Sequence, residues 1–148
     1  MLIPTLKLFF ERDLIKLKLE IESYKSEESL WLIDGTILNS AGNLCLHLIG
    51  NLNAFIGAEL GNTGYIRDRE FEFSGKYIPK QELVQNIDKT LSIIKTTLDS
   101  LSDEELKQDY PKIVFKKKMS VEYFLIHLTT HLTYHLGQIN YHRRLLDK

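Results

Sequence analysis

The sequence predicts an all-α fold, a four-helix bundle forming one domain over residues 1–148, and three observations predict it. Four long segments repeat apolar residues every three or four positions, and no stretch alternates in the manner of a half-buried strand. The three prolines, Pro4, Pro79 and Pro111, fall near proposed helix starts or in connections. With 148 residues, 43% of them hydrophobic, the chain can bury one substantial core but not two comfortable ones.

The first helix is expected from about Thr5 to Tyr24, where Leu6, Phe10, Leu14, Leu17, Ile21 and Tyr24 step by threes and fours. A turn-rich stretch, KSEESLWLIDGTILNS, follows, with Leu30 and Trp31 expected to cover one end of the core. Ser40 reads as the N-cap of a second helix, Ala41 to about Leu60, with Leu44, Leu48, Leu52, Phe55 and Glu59 along one stripe. From Gly61 to Ile78, GNTGYIRDREFEFSGKYI is read as the longest non-helical piece, opened by two glycines and dense in charge and aromatics. Pro79 sits at the start of the third helix, which carries the cleanest heptad pattern: Leu83, Ile87, Leu91, Ile94, Leu98 and Leu101. Ser102 to Glu105, SDEE, matches a capping box and begins a further short turn. DYPKIVFKKKM reads as extended or irregular, and Ser120 caps the final helix, which runs to Leu146.

Composition narrows the function classes. A formal net charge of −1 provides no global field to attract nucleic acid or an anionic membrane. Lys116 to Lys118 is too short a run to alter that and reads as a solvated connection. No apolar run is expected to span a bilayer, which needs roughly 20 residues. The opening MLIPTLKLFFERDL meets charges at Lys7, Glu11 and Arg12, unlike a signal peptide. The single cysteine, Cys45, excludes an intramolecular disulfide and suits a reducing compartment, so a cytoplasmic location is the expected default.

Four of the five histidines, His127, His131, His135 and His142, fall within sixteen residues at spacings of four, four and seven. Those offsets put every imidazole on one side of a helix, since four residues advance about 400° and seven about 700°. An apolar helix that spends inward positions on imidazole either hydrogen-bonds the rings inside a polar core or uses them to hold a metal. Two histidines at i and i+4 can reach one ion, and the overlapping pairs are His127/His131 and His131/His135. His47, in NLCLHLIGN, borders the apolar stripe of the second helix at Leu44, and Asn51 lies one turn later on the same side. Cys45 lies about 160° away from His47 around that helix and is a poor shared ligand.

HLIGN at His47 to Asn51, together with HLTTHLTYHLGQI at His127 to Ile139, resembles the DinB/YfiT-like superfamily of metal-dependent four-helix proteins. The GYIRDREFEF loop and the NSAGNLCLHL entry are similar to one of its uncharacterised branches, and the resemblance covers nearly the whole chain. It implies one divalent ion, nickel or zinc, held by His47, His131 and His135. It gives no ligand role to His127, which is assigned to hydrogen bonding behind the ligands or to polar packing. It also implies an up-down-down-up bundle with a long connection between the second and third helices, which Gly61 to Ile78 supplies. The superfamily's association with DNA damage concerns regulation of expression and implies no DNA contact.

Three neutral imidazoles leave an ion its full charge and open positions, so hydrolysis by acidified water and presentation of a thiol to an electrophile are both open. Thiol-dependent S-transferases among the characterised relatives of the resembled family tilt the expectation toward transfer to or from a small-molecule substrate. The glutamate of H-E-x-x-H is missing, because Leu132 occupies its place. Glu59 and Glu122 lie turns away and read better as solvated carboxylates than as general bases. Tyr134 and Gln138 flank the histidine pair and could orient a polar group; Tyr134 reads equally well as an aromatic at a bundle edge. Arg67 and Arg69 are the best anion-binding candidates, although the alternating signs of RDRE favour local pairs with Asp68 and Glu70. Phe9, Leu46 and Ile93, outside one internal stripe, together with the resemblance, suggest a homodimer. The alternative to an enzyme is a metal- or ligand-binding bundle acting as a sensor or dimerisation module.

Overall fold

The computed structural model describes residues 2–148 and is all-helical; among them there is no strand, only isolated bridges pairing Asp34 with Ile37 and Asp109 with Ser120. The helices are α1 (Leu2–Glu22), α2 (Ala41–Leu52), α3 (Arg69–Ser74), α4 (Lys80–Asp99), α5 (Asp103–Lys107) and α6 (Val121–Leu146), with a 3-10 turn at Glu28–Trp31. The start signals act as hydrogen-bond acceptors at helix ends. Ser40, Ser102 and Ser120 accept from the backbone amides of Asn43, Glu105 and Tyr123, and Glu105 completes the capping box.

α2 does not end at Leu52. It continues through a π-helical segment, Asn53–Ala58, and a last turn, Glu59–Gly61, stopped by Asn62 in the left-handed region at φ 50°. A π segment displaces carbonyls from the regular ladder, and side chains meet two of the groups concerned. Tyr110 donates its hydroxyl to the Phe55 carbonyl at 2.6 Å, and Asn53 donates to Ile49 O and Thr90 Oγ1 at 2.8 Å each. The Ala41–Gly61 stretch also corrects the expectation of no bilayer-length run: by length and composition it is apolar enough to cross a membrane. Yet 61% of its apolar window is buried within the protein, where Leu44, Leu48, Leu52 and Ile56 serve the core.

α1 packs against α4 and α6, and α2 against α4 and α6, so the four long helices share one hydrophobic core. The inward stripe of α1, Leu6 to Ile21, is buried at every expected position, and Tyr24, just past the end of the helix at Glu22, is buried too. So are Leu83, Ile87, Ile94 and Leu98 of α4, with Leu91 and Leu101 packed at its margin. Of the apolar residues read as available for self-association, only Phe9 stays exposed; Leu46 and Ile93 are half-buried.

Gly61 to Ile78 is not wholly non-helical. Asp68 accepts from the Phe71 amide and starts the short helix α3, a role its place in the alternating RDRE run conceals. The 110–119 segment is irregular as read, and its ends are pinned by bonds from Tyr110 N to Met119 O (2.7 Å) and from Val121 N to Gln108 O (2.9 Å).

Leu30 and Trp31 close one end of the core, and the Trp31 ring lies so near Gly42 that a Cβ there would stand 2.5 Å from ring carbon Cζ3. Gly42→Ala should therefore overpack the site and cost about 1–3 kcal/mol, read as a lower urea midpoint with an unchanged slope. An unaltered midpoint would show that Trp31 moves aside freely.

Candidate metal centre

α2 contributes His47 and α6 contributes His131 and His135, one turn apart; each offers a ring nitrogen, all within 4.8 Å of one another. The Nε2 atoms of His47 and His135 each lie 3.2 Å from Nε2 of His131. The other nitrogens decide what those contacts are. His47 Nδ1 faces the Glu72 carboxylate, an acceptor only, at 3.0 Å, nearer than the Arg67 Nη2 donor at 3.4 Å, so it carries the proton. His135 Nδ1 faces Gln138 Oε1 at 2.7 Å and likewise donates. Two Nε2 lone pairs therefore point at the Nε2 of His131, which has at most one proton to share. One cation could satisfy all three. Bonds of about 2.0–2.1 Å at tetrahedral to octahedral angles would space ligand nitrogens roughly 2.9–3.4 Å apart, which brackets the two separations of 3.2 Å from His131; the His47 and His135 nitrogens lie within 4.8 Å of each other.

Glu72, on α3, is the residue that sequence reasoning missed. It is 3% exposed and accepts from His47 and from Arg67 Nε and Nη2 at 2.9 Å each. Burial pushes its carboxyl up, but the bonds from His47 and Arg67 outweigh burial and hold it below the ordinary range. A hydrogen-bonded carboxylate behind a ligating imidazole fixes the tautomer and raises the ring's basicity. Gly50 makes room for it: a Cβ at that position would stand 2.0 Å from Glu72 Oε2. Nothing in the local pattern marks Glu72 among its acidic neighbours; an N-cap reading of Asp68 would at least have disclosed the helix that carries it.

Burial, then the neighbouring imidazoles and Arg67, depress His131 to about 4. Burial also lowers His135, against the bond to Gln138. At neutral pH both rings are free bases, the form a metal requires.

The remaining candidates divide. His127 stands apart, its ring 6.5 Å from that of His131, stacked over Phe124 and edge-on to Phe115 at 4.9 Å. Asn51 is 6% exposed and its Oδ1 has no hydrogen-bond partner among the described residues, a condition shared by His131 Nδ1. Tyr134 is exposed beside His135 and linked to Gln138 by a long 3.4 Å bond. Arg67 pairs with Glu72 instead of Asp68 or Glu70, because α3 turns Glu72 inward. Arg69 covers the Phe73 ring, which itself lies 4.9 Å from His47. Glu59 is paired with Lys112 at 2.6 Å. His142, on the expected face, serves the core: it accepts from the Tyr24 hydroxyl at 2.6 Å and donates to Leu32 O at 2.8 Å. Cys45 is wholly buried in the core, its thiol pushed up to about 12 by burial.

Fold and cluster together define an all-helical protein that gathers three histidines from two helices around one point. The chain belongs to the family described as "Protein of unknown function (DUF1572)", which matches residues 13–148. Among solved structures it is similar to a conserved protein from Enterococcus faecalis, at 15% identity and a TM-score of 0.77, over 97% of this chain and 95% of that one. At that identity the likeness establishes the fold alone. No curated protein matches the chain.

The depressed His131 value gives a pH signature. The unfolded ring titrates at about its ordinary 6.5 and the folded ring at about 4, so the unfolded state binds the proton first. The stability that this ring contributes is complete above about pH 6.5 and is lost as the pH falls toward 4. In chelator, the melting temperature should fall over that window, and more shallowly in His131→Leu. Parallel curves for the two proteins would contradict the assignment.

Proposed function

We propose that the protein is a divalent-metal enzyme of the DinB/YfiT-like type, a four-helix, up-down-down-up bundle in which His47, His131 and His135 hold one nickel or zinc ion. The observation that carries this reading is the tautomer arrangement: Glu72 and Gln138 take the Nδ1 protons of His47 and His135, leaving two Nε2 lone pairs aimed at the Nε2 of His131. When bound, the ion supplies Lewis acidity at the positions that the three imidazoles leave open. Imidazole donors suit both nickel and zinc.

The chain's own groups favour transfer with a low-molecular-weight thiol over hydrolysis. Activated water needs a general base. Glu72, the carboxylate at the cluster, is already occupied by His47 and Arg67, and the H-E-x-x-H position holds Leu132, which is fully buried. A thiol coordinated by such an ion would be deprotonated outright and would need no separate base. Glu72 would hold the His47 ring, Gln138 the His135 ring, and Arg67 the carboxylate itself.

Metal analysis of protein purified without an affinity tag should return about one equivalent of nickel or zinc, and His131→Ala should lose it. Full metal content in that variant would sink the assignment. Conjugation of a chromogenic electrophile by several bacterial thiols should require His135 and survive Cys45→Ala, because Cys45 is sealed in the core. Equal rates for wild type and His135→Ala would remove the metal from the reaction and leave a binding protein.

A further inference from the structure

A cavity of about 420 Å3 opens beside the histidine cluster, with His47 and His131 in its wall. Its lining is graded along α6, which presents Phe124, His127, Leu128 and His131 in succession. One end is aromatic. Phe55 meets Phe124 edge-on at 5.1 Å, and His127 packs between Phe124 and Phe115. The other end is the imidazole cluster.

The charge of the lining has one sign. Among the described residues Arg67 and Arg69 line the cavity and no aspartate or glutamate does. Arg67, over the Phe55 ring, is committed to Glu72 by two bonds. Arg69 has no carboxylate partner among the described residues; it lies over Phe73, whose ring adjoins His47. Lys116, beside the mouth residue Phe115, adds positive charge outside. Asn51, more than nine-tenths buried in the lining, holds a side-chain oxygen with no partner among the described residues, so the wall is polar there as well.

We propose that this cavity is a subsite for a small organic carboxylate with an aryl or short alkyl body. The carboxylate lies toward Arg69 and the histidines, and the apolar body lies against Phe55, Phe115 and Phe124. A cavity of this size accepts a single compact molecule. An acid-free wall holding an uncommitted guanidinium rejects cations and favours anions. Calling the ligand a substrate rests on the metal-enzyme reading; the charge and the aromatic wall do not.

The test is calorimetric titration of 4-phenylbutyrate, 4-phenylbutan-1-ol and 4-phenylbutylamine into the untagged full-length protein, into Arg69→Gln and into His131→Ala, each with its metal content measured. The carboxylate should bind at least tenfold more tightly than the alcohol, and the amine more weakly still. Arg69→Gln, at an exposed position, should erase most of that preference, whereas His131→Ala should keep it. Phe115→Ala should weaken carboxylate and alcohol alike. Equal binding of carboxylate and alcohol, an undiminished preference in Arg69→Gln, or no carboxylate binding below millimolar concentration would overturn the subsite. The two readings fail separately: metal-free protein that keeps the preference overturns only the metal centre, and metal-loaded protein without it overturns only the subsite.

Discussion

A buried carboxylate stays ionised only where donors surround it, and the site is organised around one such group. Glu72 takes its donors from two parts of the chain, His47 on α2 and Arg67 in the connection, and the space over Gly50 lets it approach the helix at all. Removing one partner of a buried ionic pair costs about 3–5 kcal/mol, far more than a surface pair contributes. The 61–78 connection is therefore more than a link between helices. Asn43 fastens the same stretch by donating to the Glu72 and Gly75 carbonyls at 3.1 and 2.8 Å, so one face of α2 holds both the backbone and the charge of α3.

The irregularity of α2 has a related consequence. A π segment re-aims the residues after it relative to those before it. Asn51 and His47 lie before the segment and Phe55 lies within it, yet all three line the same cavity. Tyr110, which binds the Phe55 carbonyl, also begins the closed 110–119 loop that carries Phe115 to the cavity mouth. The polar accommodation of a helix defect and the placement of an aromatic wall thus share one side chain.

The histidines of α6 show how one helical face can serve several environments. His131 and His135 meet His47, His127 packs among aromatic rings, and His142 bonds to Tyr24 and Leu32. What separates them is the partner opposite each ring. Position on the helix brings them toward the core, and where a ring nitrogen meets a hydrogen-bond partner, that partner sets its proton.

The four long helices and their inward stripes are legible in the chain, because apolar spacing and capping chemistry are local and each is decided within a few residues. Ser40, Ser102, Ser120 and the Leu6 to Tyr24 ladder are legible for that reason. The chain also offers His47, His131 and His135, through helical spacing and a family resemblance. Which imidazoles face one another depends on packing, since His47 and His131 are 84 residues apart and meet only when α2 packs on α6. Packing likewise selects Glu72, among the three acidic residues Asp68, Glu70 and Glu72 of that connection, as the one turned inward by α3. Asp68 was hidden as a cap for the same reason: a carboxylate's role is set by the donor it meets, and chain packing chooses that donor.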